Sequence, residues 1–201
     1  MQSINNQIVA TIKKKGRGKI FFINDFRHFG SNEAVRLALF RLCKEGAILR
    51  LSAGIYLYPK NHKYLGVIYP ALETIAKAIA KQEKARIIPT GIYALNALGL
   101  STQVPMRVVF LTDGTPRMIN IDGESSIKLK KIAPKYLALK GKLVTLVIFA
   151  LKEIGKNNVT EEQLKRIKEV LQKESRDNII HDTKLAPEWI SEIILNLTDN
   201  E

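Results

Sequence analysis

Within AVRLALFRLCKEGAILRLSAGIYLYPK, residues 34–60, the side chains with chemistry to offer are Arg36, Arg41, Lys44, Arg50 and Lys60. A guanidinium fork matches guanine edges and phosphate oxygens, and a lysine meets a phosphate as a point charge. The chemistry this spacing suits is polyanion binding. At 100° per residue, Val35, Ala38, Leu39 and Leu42 gather on one side of a helix. Glu33, Leu37, Phe40, Arg41 and Lys44 then point the other way, with Arg36 on a flank. Water gains nothing from Leu37 or Phe40, so they touch either thymine methyls or a neighbouring domain.

Residues that break bonds are harder to assemble. His28, His62 and His181 are scattered, and no second cysteine or clustered carboxylate joins them into a metal site. Asp113, Asp122 and Glu124 offer carboxylates to a nuclease, but both aspartates precede glycine in turn positions. There is no phosphate loop and no serine elbow. The expectation is a protein without catalytic residues, metal or cofactor.

The elements that would position the arginines follow from periodicity. Ile4, Ile8, Val9 and Ile12 predict a helix capped by Ser3 and closed by Gly16, carrying Lys13 and Lys15, with Arg17 just beyond. KIFFI (19–23) reads as a strand, Asn24 or Asp25 as the cap of a brief helix to Phe29, and Ser31 as the cap of the arginine helix. AILRL and GIYLY make two strands of a ribbon, with Gly54 at a position that favours φ > 0. Helix, strand, helix, helix, strand, strand is the order of a winged helix-turn-helix, here expected over residues 1–60. KNHKYLGVIYP then reads as a linker.

Residues 61–201 are expected to form a second, small mixed α/β domain with C-terminal helices, which makes the whole chain α+β. LETIAKAIAKQEKA (72–85) reads as a helix with Ile75, Ala76, Ile79 and Ala80 inward. RII is a short strand, and Thr90 caps a helix through Leu98. Strands follow at 106–112, 116–121 and 125–132, joined by hairpin signals at Asp113-Gly114 and Asp122-Gly123. In the last of them Ile127, Leu129 and Lys131 alternate with Lys128, Lys130 and Ile132. That puts a basic row on one face, near Arg107 and Arg117. LVTLVIFAL (143–151) is too short for a bilayer span, which needs about 20 residues, and reads as a buried helix or strand. Thr160 opens a helix with i,i+4 pairs Glu161–Lys165 and Glu162–Arg166, and Pro187 starts a last helix burying Trp189, Ile190, Ile193 and Ile194.

Charge supports a polyanion partner for the front of the chain. The net charge of the 201 residues is +13. Residues 1–60 hold eleven Lys/Arg against three Asp/Glu, residues 61–140 twelve against five, and residues 141–201 nine against eleven. The single cysteine, Cys43, excludes an intramolecular disulfide and sits where a small buried thiol fits. No apolar h-region opens the sequence, so a cytoplasmic protein with no membrane partner is expected.

SNEAVRLALFRLCKEGAILRLSAGIYLYPK resembles the winged N-terminal segment of AbiEi-type antitoxins, the repressor half of bacterial type IV toxin–antitoxin pairs. The matching residues are Ser31, Ala34-Val35, Ala38-Leu39, Arg41-Leu42, Lys44, Gly46, Ile48, Arg50-Leu51, Gly54-Ile55-Tyr56 and Tyr58-Pro59-Lys60. PTGIYALNALGLSTQVPMRVVFLTDG (89–114) is similar to the opening of that family's second domain, and LAPEWISEII (185–194) to its C-terminal helix. The likeness departs at Ala53, where a basic residue is common, and at Leu37 and Phe40, where polar residues are commoner. It implies a phage-defence repressor that binds the double-stranded DNA of its own promoter, at repeats, and counteracts a co-encoded nucleotidyltransferase-like toxin. The alternative is a DNA-binding regulator or accessory protein of a mobile element with no toxin. The DNA-binding set expected from charge, face and resemblance is Lys13, Lys15, Arg17, Arg36, Leu37, Phe40, Arg41, Lys44, Arg50, Lys60, Arg107, Lys128 and Lys130.

Overall fold

A computed structural model describes residues 3–103, 105–121 and 123–199. The chain is mixed α+β and divides into two units, Met1–Gln82 with Ile119–Ser125 and Glu83–Met118 with Ser126–Glu201.

In the first unit Ser3 accepts the Asn6 N–H at 3.3 Å and opens α1 (Ile4–Lys15). After β1 (Ile20–Phe22) the chain enters a short helix at Ile23, two or three residues earlier than a cap at Asn24 or Asp25 would place it, and the helix is 3₁₀, Ile23–Phe29. The cause is Asp25, whose carboxylate reaches back to accept the Phe22 N–H at 3.0 Å instead of capping forward. The tight coil drops Phe26 onto Phe21, ring centroids 5.9 Å apart. Ser31 then accepts the Ala34 N–H at 3.2 Å and starts α2 (Asn32–Lys44).

α2 buries Val35, Ala38, Leu39 and Leu42 against Ile8 and Ile12 of α1, Phe21, Phe26, Ile48 and Tyr56. Each fully buried aliphatic or phenyl side chain contributes about 1.5–3 kcal/mol relative to exposure. β2 (Leu49–Ser52) and β3 (Ile55–Leu57) follow, and the antiparallel sheet has the order β1-β3-β2. Gly54 turns the ribbon at φ +74, and its carbonyl accepts the Ile23 N–H at 3.1 Å.

Residues 60–70 are not an irregular linker. β4 (Lys60–His62) and β5 (Gly66–Ile68) form an antiparallel hairpin, with Gly66 at φ +69 after a three-residue loop. Its short strands lack clean alternation, which is why periodicity missed it. α3 (Leu72–Glu83) buries Ile75, Ala76, Ile79 and Ala80, the face expected.

The second unit contains β6 (Ile87–Thr90), α4 (Ile92–Ala97), β7 (Arg107–Thr112) and most of β9 (Ser125–Lys131), while β8 (Arg117–Ile121) straddles the division. Thr90 is not a helix cap: it lies in β6 and its hydroxyl donates to the Val109 carbonyl at 3.1 Å, so Gly91, at φ +62, precedes α4. Asp113-Gly114 does not make a hairpin of β7 and β8. β7 is flanked by β6, antiparallel, and β9, parallel. Asp113 accepts the Arg86 N–H at 2.7 Å, and Gly114 donates to the Thr112 hydroxyl at 3.0 Å, which ties the turn towards β6. Asp122 lies outside the described residues.

The core of this unit is α6 (Lys142–Ile154), the apolar run resolved as helix, with seven buried residues. Around it lie α5 (Pro134–Leu137), α7 (Glu161–Leu171), α8 (Arg176–Thr183) and α9 (Glu188–Asp199). α9 buries Ile190 and Ile194, with Trp189 and Ile193 half-buried. Arg166 does not pair with Glu162: it ion-pairs with Glu169 at 2.9 Å and donates Nε–H to the Leu98 carbonyl. The α6 N-terminus is clamped by two carboxylates. Asp182, fully buried, accepts the Lys140 and Gly141 N–H groups at 2.8–3.0 Å, and Glu174 accepts that of Leu143 at 2.8 Å. Carboxylates suit the positive end of a helix dipole.

Candidate nucleic-acid interface

The α2 cap and its four buried apolar residues fix which side of the helix faces outward. Arg36, Leu37, Phe40, Arg41 and Lys44 are all exposed, Leu37 by 49% and Phe40 by 61%. Along one edge of this face runs a groove of about 550 Å³ between α2 and the β2–β3 ribbon. Arg36, Phe40 and Cys43 line it from the helix, and Arg50 and Tyr56 from the ribbon.

Arg50 and Tyr56 are direct cross-strand partners, so their side chains leave the same face of the ribbon. A register shift follows between Arg50 and Ser52, which bends the strand beyond the arginine. Among the described residues no carboxylate lines the groove. Burial pushes the Tyr56 phenol up and Cys43 adds to that, while the Arg50 and Arg36 charges pull it down. Burial also raises the Cys43 thiol, partly opposed by Arg50, so Cys43 is a neutral thiol near pH 7 and a poor nucleophile. Two guanidinium groups, an exposed phenyl ring and an uncharged floor can grip a phosphate backbone with a base or sugar edge beside it.

A second cleft, of about 320 Å³, lies between α1, α2 and the end of the ribbon, and is lined by Lys13, Arg17, Gly46, Pro59 and Asn61 among others. Arg17 is partly committed to the fold, since it donates to the Pro59 carbonyl at 3.0 Å and covers the Tyr58 ring at 4.9 Å. Lys15 lies over Phe21 at 5.4 Å. Both keep exposed charge. Lys60 is exposed at the start of β4.

The remaining expected residues lie in the second unit. The parallel register pairs Val109 with Lys128 and Leu111 with Lys130, and Arg107 has the same parity, so Arg107, Lys128 and Lys130 share one sheet face. All three are exposed. The strand departs from the expected alternation at its end: Lys131 is exposed and Ile132 buried, because the chain turns Ile132 into the core beside Tyr136. Arg117 is tied up in a bidentate ion pair with Glu83. The thirteen expected residues therefore form a groove with its helix face, a cleft and a hairpin strand in one unit, and a sheet face in the other.

Sequence reasoning missed Tyr56 and Cys43 as groove-lining groups: Cys43 reads as a small buried thiol, and Tyr56 only as part of a ribbon strand. It also missed the β4–β5 hairpin. The His181–Asp182 contact at 2.8 Å has the form of a base and its orienting carboxylate. That carboxylate already holds the α6 N-terminus, so its role is structural. Among the described residues no three His, Cys, Asp or Glu side chains gather to hold a metal ion, and no helix is long and apolar enough to cross a membrane.

A family model described as a family of unknown function, DUF6088, matches residues 7–179. No curated protein matches the chain. Among solved structures, the chain is similar to the RV2827C protein from Mycobacterium tuberculosis at 11% identity and a TM-score of 0.44, over 99% of this chain and 82% of that one. At that similarity the likeness supports no conclusion about function.

Proposed function

We propose, on the premise that the chain belongs to the DUF6088 family of unknown function, that it binds duplex DNA and represses the promoter from which it is expressed. The observation that carries this reading is the groove lined by Arg36 and Arg50, from two different elements, together with Phe40 and, among the described residues, by no carboxylate. The element order, the sheet order β1-β3-β2 and the basic outward face of α2 support reading the first sixty residues as a winged helix-turn-helix. In that reading α2 is the recognition helix and the β2–β3 ribbon the wing. The antitoxin role rests on the sequence resemblance to AbiEi-type proteins and is proposed with it.

The test is fluorescence anisotropy on the duplex upstream of the gene. Arg36→Ala with Arg50→Ala should weaken binding by about a hundredfold or more, each lost charge-assisted contact costing about 1.5–3 kcal/mol. An unchanged affinity would remove the groove from the interface. Expression beside the downstream reading frame decides the second half of the reading. Relief of growth arrest supports the antitoxin role, and repression with no toxic neighbour supports the mobile-element regulator.

A further inference from the structure

The β4–β5 hairpin is a surface element with an unusual composition. Every residue from Lys60 to Gly66 is exposed, and its tip is Lys63-Tyr64-Leu65, with Tyr64 80% and Leu65 76% exposed. A two-stranded hairpin is marginal alone in water, and an apolar tip makes it costlier still. The tip is nevertheless well defined. Gly66 takes the left-handed position that closes the three-residue loop. The Tyr64 N–H donates to His62 Nδ1 at 3.3 Å, and Lys63 Nζ lies 5.5 Å from the Tyr64 ring centroid.

The two faces of the hairpin differ. Asn61 and Val67 are register partners; Val67 is half-buried and Asn61 lines the cleft with Lys13 and Arg17. Lys60, His62 and Ile68 share the opposite, exposed face. No aspartate or glutamate occurs between Glu45 and Glu73, so nothing near in sequence offsets Lys60 and Lys63. An apolar wedge flanked by uncompensated lysines is complementary to duplex DNA. The lysines meet phosphates on either side of a groove while the wedge enters between base steps. An acidic protein surface would satisfy the lysines and leave Tyr64 and Leu65 unexplained.

We infer that the β4–β5 hairpin is a second DNA-contacting arm, whose Tyr64 and Leu65 wedge into the minor groove and unstack a base step while Lys60 and Lys63 hold the flanking phosphates. The inference rests on the duplex-binding reading and adds to it a deformation of the DNA. The preferred substrate is then a duplex containing a flexible pyrimidine–purine step, where unstacking is cheapest.

The experiment uses the full chain and a short duplex with 2-aminopurine beside a central TA step. The wild type should bind and raise the 2-aminopurine fluorescence. Tyr64→Ala with Leu65→Ala should bind about tenfold more weakly, with no fluorescence rise and an unchanged salt slope, as loss of base stacking requires. Tyr64→Phe should keep the rise. Lys60→Ala with Lys63→Ala should instead lower the salt slope by about two. Because Tyr64 and Leu65 are exposed, melting temperatures should match the wild type and exclude misfolding. Wild-type binding with no fluorescence change, or equal affinity of the double variant, overturns the arm and leaves the duplex reading standing. Failure of the wild type to bind any duplex overturns the duplex reading and the arm together. A change in oligomeric state of the double variant at unchanged DNA affinity would assign the tip to contact between copies and overturn the arm.

Discussion

Arg50 and Arg36 reach the same groove from opposite walls, and neither has a carboxylate partner among the ion pairs of the described residues. Arg41 is different, since it lies out on the exposed face of α2 and not in the groove. If it reaches a base edge, Arg41→Ala should weaken a specific site more than random duplex by about 1–3 kcal/mol. Parallel titrations on both duplexes measure the difference, and equal losses would make Arg41 a phosphate clamp. Glu174 gives a residue-scale prediction about stability. Burial alone raises its carboxyl pKa, but hydrogen bonds from Asn178 and from the Leu143, Ser175 and Val144 amides outweigh burial and lower it. A depressed carboxylate stabilises the fold above its unfolded pKa, and that contribution is lost as pH falls through the folded value. The denaturation midpoint should therefore drop below the ordinary carboxylate range, and Glu174→Gln should flatten that acid limb while losing stability at pH 7.

At the scale of elements, what was legible had a local cause. Ser3 and Ser31 announced their helices because a side-chain cap is a contact over three residues, and the α2 stripe announced its buried face. The same periodicity placed Leu37 and Phe40 outside, where they are. What was illegible depended on distant partners. Asp113-Gly114 carries the dipeptide of a hairpin, yet Arg86, far away in sequence, takes the aspartate and the parallel β9 takes the strand's free edge. Of the binding set, the helix face was readable, but the groove was not, because Tyr56 and Cys43 border it only once α2 packs on the ribbon. The α6 clamp was equally hidden: its carboxylates come from α8 and the turn just before it, more than thirty residues later. Gly141 exists for that clamp, since a Cβ there would stand 2.9 Å from Glu174 Oε2 and collide with Val144. Gly141→Ala should destabilise the protein by about 1–3 kcal/mol through overpacking. Chemical denaturation measures it, and a change under half a kcal/mol, the size of an ordinary surface substitution, would mean that the clamp yields easily.

For the whole molecule the proposed duplex binding raises the question of how much of the positive charge would meet DNA. The surplus belongs to residues 1–140, since residues 141–201 carry nine Lys/Arg against eleven Asp/Glu. Counterion release makes that countable, because each phosphate neutralised steepens the fall of log affinity with log salt by about 0.9. About six contacts, which the groove, the α2 face and the cleft can supply, would lose roughly a thousandfold in affinity between 50 and 200 mM salt. The sheet face bearing Arg107, Lys128 and Lys130 belongs to the other unit. Its participation shows only in the slope. If that face also holds phosphates, Lys128→Gln with Lys130→Gln should lower the slope by about two while specific and random duplexes weaken alike. Both lysines are exposed at alternate positions of one strand, so their loss should leave the melting temperature unchanged and the comparison clean. A contacting sheet face would add the second unit's phosphate contacts to those of the first. An unchanged slope would confine DNA to the first unit and leave this face to a different polyanionic or acidic partner.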